Sequence, residues 1–139
     1  MANSEKITRA LKRIPYAQTL GVKPIVIGEE FTLVMPYIET NIGNPLLPAL
    51  HGGAISGLME IAAIAQLFIS TDGKGLPLPK PIGINVDYLR RGKPKDTYAR
   101  ALIFKQGARV ANVRVRAWQE DYDEPIATMH GHYITAKAE

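Results

Sequence analysis

Cysteine is absent from the 139 residues. Disulfides, thiolate metal sites and a cysteine nucleophile are therefore excluded. The opening "MANSEKITRA" lacks the apolar run of a signal peptide, so cytoplasmic residence is expected. Aromatic residues make up only 7% of the chain, with a single tryptophan. The basic residues are not set among aromatics on a platform, and no helix-turn-helix pattern accompanies them, so a nucleic-acid partner is not expected. Charge is nearly missing from the middle. Between Glu39 and Asp72 the one Asp, Glu, Lys or Arg is Glu60, set within "HGGAISGLMEIAAIAQL". A carboxylate inside an apolar element is costly unless it is neutralised, hydrogen-bonded or wetted.

What is present fits a single domain, residues 1–139, with a core of its own. Hydrophobic content of 46% and charged content of 22% are ordinary for a soluble globular protein. The formal net charge of +4 suits an anionic partner such as a phosphorylated cofactor. Leu50 to Ser70 has nearly the length of a membrane span, and Gly53 and Gly57 have the spacing of a helix-dimerisation motif. His51, Glu60 and Gln66 argue against a span, and no membrane partner is expected.

Along the chain, Ser4 to Ile14 reads as an amphipathic helix with Ser4 as cap, closed by Pro15. Residues 21–38 read as two strands around a turn at Gly28, Glu29 and Glu30. Asn41 to Leu50, with Gly43, Pro45 and Pro48, reads as a loop. A long apolar helix follows, then a loop over residues 70–81. Four strand-like segments close the chain: Ile82–Arg90, Thr97–Lys105, Val110–Glu120 and Pro125–Ala136. Strands in runs around one apolar helix give an α+β class, an antiparallel sheet wrapped on that helix. Because the helix is apolar on nearly every side, a second copy of the chain is expected to cover what the sheet leaves open.

The helix should begin near His51-Gly52-Gly53. First-turn amides have no intrahelical acceptor, and that end of the dipole favours negative charge. Two glycines leave those amides open to a ligand, which outlines an oxyanion site for acyl transfer. Glu60 follows His51 by nine positions, two and a half turns and roughly 14 Å of rise. The two side chains then point to opposite sides of the helix. A site that uses both the glycine amides and Glu60 would draw them from two subunits.

The stretch "NPLLPALHGG", followed by the carboxylate of "LMEIA" and by the strand pattern of "INVDYLRRGKPKDTYARALIFKQGARVANVRVRAW", resembles the PaaI-like thioesterases of the hotdog-fold superfamily. That resemblance implies a hotdog fold and hydrolysis of acyl-CoA thioesters at a site shared between subunits, with a homodimer as the minimal unit and a homotetramer left open. It implies Glu60 as the catalytic carboxylate, either general base or nucleophile. It further implies Gly52 as the carbonyl-polarising amide, His51 as an orienting residue and Asn44 as the group that positions water or the leaving sulfur. No cofactor is implied beyond CoA as part of the substrate. Many relatives carry aspartate at the place of Glu60, and some carry a hydroxyl near the place of Pro81, which has none.

Arg90, Lys105 and Arg109 are the candidates for the CoA phosphates. Tyr37, Leu46, Leu47, Leu58 and Met59 are candidates for an acyl pocket, and the sequence leaves their face open. His130 and His132 in "HGHY" share a strand face, but no third ligand is in view, so no metal site is expected. A dehydratase or hydratase acting on acyl thioesters, and a non-catalytic acyl-CoA-binding protein, are the alternatives on the same fold.

Overall fold

A computed structural model of the chain describes residues 2–27, 30–70 and 78–135. Helix α1 spans Ala2–Lys12 and α2 spans Pro15–Leu20. Strands β1 (Lys23–Ile27) and β2 (Glu30–Met35) follow, then the short strands β3 (Ile42–Asn44) and β4 (Ala49–Leu50), and the long helix α3 (Gly52–Ser70). Strands β5 (Lys80–Tyr88), β6 (Thr97–Gln106), β7 (Val110–Trp118) and β8 (Ala127–Ile134) complete the order. Six strands form one antiparallel sheet in the order β1-β2-β6-β7-β8-β5, so β1 and β5 are its edges.

Alternation along β7 and β8 explains how the sheet takes up the helix. Ala111, Val113, Val115 and Ala117 of β7, with Ala127, Met129, Gly131 and Tyr133 of β8, are buried on the face that receives α3. Small residues there let the helix sit close. The opposite face carries Arg114, Arg116, His130 and His132, and the two histidine rings lie 5.5 Å apart. Trp118 packs on that outer face against Tyr98 and Tyr122, not in the core. Helix α3 is long and apolar enough to cross a membrane by length and composition alone, but here it is the central helix of the core.

Four sequence expectations change. Helix α1 starts at Ala2, ahead of the expected Ser4 cap. Pro15 ends it but also opens α2, where its fixed φ suits a first helical turn and its missing N–H costs nothing. The expected loop over residues 41–50 holds a two-stranded ladder, β3 with β4, behind a short 3₁₀ turn at Glu39–Asn41. Gly28 and Glu29 of the expected hairpin turn lie outside the described residues. Finally, part of the cover over α3 comes from the same chain. Helix α1 packs on α3 with Ile7, Ala10 and Leu11 buried, and Tyr16 and Leu20 close over Gly57. Among the positions of α3 that stay partly open is a stripe at helical spacing: Gly53, Ser56, Glu60 and Ile64.

Candidate functional site

The start of α3 is built from backbone contacts. The His51 amide donates to the Asn41 carbonyl at 2.8 Å, and the Leu50 amide donates to the Gly92 carbonyl at 2.9 Å. Gly43 of β3 lies so close that a Cβ there would stand 2.7 Å from His51 Cα. His51 itself caps the helix: its carbonyl accepts from the Ala54 amide at 3.0 Å, and its Nδ1 accepts from the Gly53 amide at 2.8 Å. The sequence suggested that both glycine amides would be open to a ligand. The imidazole takes the second, so the Gly52 amide alone stands without an acceptor among the described residues.

Tyr88, at the end of β5, fixes the same glycine from the other side. Its hydroxyl donates to the Gly52 carbonyl at 2.9 Å, and a Cβ on Gly52 would meet its ring at 3.1 Å. Sequence reasoning did not single out Tyr88, since a tyrosine closing a strand is an ordinary β residue. Nor did it single out Arg91 for a role in this segment. Its guanidinium donates to the carbonyls of Leu47 and Pro48, each at 2.8 Å, and so pins the segment that leads into His51.

Glu60 lies two turns along α3 on the open stripe, half-buried, and burial raises its carboxyl above the usual range. Beside it stands Tyr133 of β8. Burial first, and the Glu60 charge second, push the Tyr133 hydroxyl well above the ordinary phenol value. Tyr133 pairs across the ladder with Pro81.

Other expected residues take less central places. Asn44 Oδ1 accepts from the amides of Leu46 and Leu47 at 3.0 and 3.4 Å, an Asx turn that shapes the tip of the β3–β4 loop. Arg90 donates to the Pro125 carbonyl at 2.7 Å and faces Glu124, while Lys105 and Arg109 lie at the opposite end of the sheet. One chain thus does not bring these three cations together. Leu58 and Met59 are core residues, whereas Tyr37, Leu46 and Leu47 are exposed, Leu46 at 93%. No group of three His, Asp or Glu able to hold a metal occurs among the described residues.

This constellation is a half-buried, base-strengthened carboxylate on an open helix stripe, with a helix whose first amide is free. The profile of the acyl-CoA thioesterase N-terminal domain matches residues 44–134, more than half of the sequence and the stretch that holds α3 and strands β4 to β8. The chain belongs to the acyl-CoA thioesterase family. Its architecture is the hotdog fold, as the resemblance implied. A protein from Chromobacterium violaceum is 31% identical over 99% of this chain and 95% of its own, with a TM-score of 0.76. A phenylacetic acid degradation-related protein from Ralstonia eutropha superimposes with a TM-score of 0.76 at 17% identity, over 93% of this chain and 98% of its own. A Bacillus halodurans protein solved with CoA gives 0.73 at 19% identity, over 97% of this chain and 91% of its own. No curated protein sequence matches the chain.

Proposed function

We propose that this thioesterase-family protein hydrolyses acyl-CoA to free acid and CoA at a site shared by two subunits. The observation that carries the reading is Glu60, a carboxylate raised by burial yet left on the accessible stripe of α3. A higher value makes it a stronger base once ionised. Glu60 takes a proton from water, and the oxygen adds to the thioester carbonyl. The Gly52 amide receives the developing oxyanion. Collapse of the adduct breaks the C–S bond, and the proton held by Glu60 passes to the CoA sulfur.

Within one chain Gly52 and Glu60 are about 12 Å apart along the helix axis, too far to hold one carbonyl. Strand β5 supports a solution. It is an edge strand of nine residues with Ile82 and Tyr88 exposed, followed by exposed Leu89. The other edge, β1, is five residues long and carries Lys23 and Pro24, which discourage pairing. Antiparallel pairing of two β5 edges brings the Tyr88–Gly52 end of one subunit toward the Lys80 end of the other, where the second half of α3 lies. The same operation carries Arg90 of one subunit toward the Lys105 and Arg109 end of its partner, a basic group suited to CoA phosphates.

The test is free-thiol release from a panel of acyl-CoAs by wild type and Glu60→Gln. Turnover that falls about a hundredfold or more in the variant supports the reading. Equal rates remove Glu60 from the chemistry. CoA binding without turnover on any substrate makes this an acyl-CoA-binding protein instead.

A further inference from the structure

Tyr133 is fully buried, and its hydroxyl has no hydrogen-bond partner among the described residues. A phenylalanine would fill the same space without an unmatched polar atom, and a buried hydroxyl left unpaired is unfavourable. The side chain is also held in place. On β8 it lies over Gly131, where a Cβ would stand 2.9 Å from the ring, and it shares the inner sheet face with apolar neighbours. From β7 these are Ala111 and Val113, and from β5, Pro81 and Ile84. Helix α3, packed on this face, has Glu60 as its one ionisable residue.

We propose that Tyr133 is a positioning residue for Glu60: its buried hydroxyl is the donor held for the carboxylate oxygen that does not face the attacking water. This assignment rests on the general-base role given to Glu60 above. A fixed hydrogen bond to one oxygen decides which lone pair of the other points at water, and it favours the ionised, basic form. Because burial holds the phenol above its ordinary value, it stays protonated, and so a donor, across the neutral range. Other titratable side chains near this part of α3 have contacts of their own. Tyr16 closes over Gly57 from α2, Tyr88 is bonded to Gly52, and Arg13 lies over the Phe68 ring.

The experiment uses Tyr133→Phe in the full chain, with folding checked by circular dichroism. Glu60 ionisation is followed by the ¹³C carboxyl shift in glutamate-labelled protein and assigned by its loss in Glu60→Gln. Loss of the donor should raise the Glu60 midpoint by ~1 pH unit. The acidic limb of the rate profile should move with it, and kcat should fall about tenfold with KM unchanged. A Glu60 titration that superimposes on wild type overturns the assignment, whatever the activity. A shifted titration in a protein that turns over no thioester sustains the Tyr133–Glu60 link and defeats the hydrolase reading instead. A purely structural Tyr133 would leave the carboxyl titration where it was.

Discussion

Glu60 sets a pH dependence whose sign follows from burial. Its carboxyl is raised by desolvation, so ionising it is harder in the folded chain than in the unfolded one. Its contribution to stability is fully present below the unfolded carboxylate range and is lost as pH rises through the raised folded value. Glu60→Gln should therefore melt above wild type at about pH 8, with the difference closing toward about pH 4. Thermal denaturation at the two pH values checks this, and a variant that melts lower at both contradicts it. Activity should run the other way, with kcat/KM climbing along an acidic limb that lies above the ordinary carboxylate range. The residue was legible in the sequence because a lone carboxylate in an apolar run demands an explanation. Tyr88 and Tyr133 were not. Whether a strand tyrosine faces the helix depends on register, and β5 carries an irregularity between Pro81 and Gly83 that no local pattern announces. Tyr88→Phe should cost about 1 kcal/mol of stability and loosen the Gly52 peptide; denaturant unfolding and kcat read the two effects separately.

At the scale of elements, the start of α3 depends on what is laid against it. Gly43→Ala would drive a Cβ into the His51 backbone at 2.7 Å. With main chain as the neighbour, relief requires moving β3, at about 1–3 kcal/mol. A urea midpoint unchanged from wild type would refute this. The long helix and the four late strands were readable, because hydrophobic periodicity survives over eight residues or more. Strands β3 and β4, at three and two residues, are too short to carry a period. Their pairing is fixed by a close approach to His51 that becomes visible only in three dimensions. Helix α2 was hidden for a related reason. Pro15 signals both the end of one helix and the start of another, and six residues do not reveal which.

At the scale of the whole molecule, a site shared as proposed would make two defective chains able to repair each other. Glu60→Gln keeps the Gly52 amide, and Gly52→Val keeps the carboxylate. Random mixing gives half mixed dimers, each with one intact site. Unfolded and refolded together, the pair should recover about a quarter of wild-type activity, although each alone is inactive. No recovery, with mixed dimers demonstrated by mass, would place the whole site within one chain. Ile82→Lys, on the exposed edge of β5, should convert the dimer to monomer in sedimentation and abolish turnover with it. In the sequence, the expectation of a second subunit rests on the opposed faces of His51 and Glu60. The part played by α1 and α2 in covering α3 was not, because a short amphipathic helix does not declare its partner.

The His51 imidazole, by taking the Gly53 amide for itself, has a consequence for leaving groups. An oxyanion cradle with one free backbone donor stabilises a tetrahedral adduct less than a paired cradle does. Substrates whose carbonyl is already electrophilic tolerate that shortfall, and resonance-stabilised oxygen esters and amides do not. Under the proposed mechanism the weak cradle is expected to act as a filter: among acyl compounds of equal size, it should pass those whose acyl carbon is bonded to sulfur and leave the others intact.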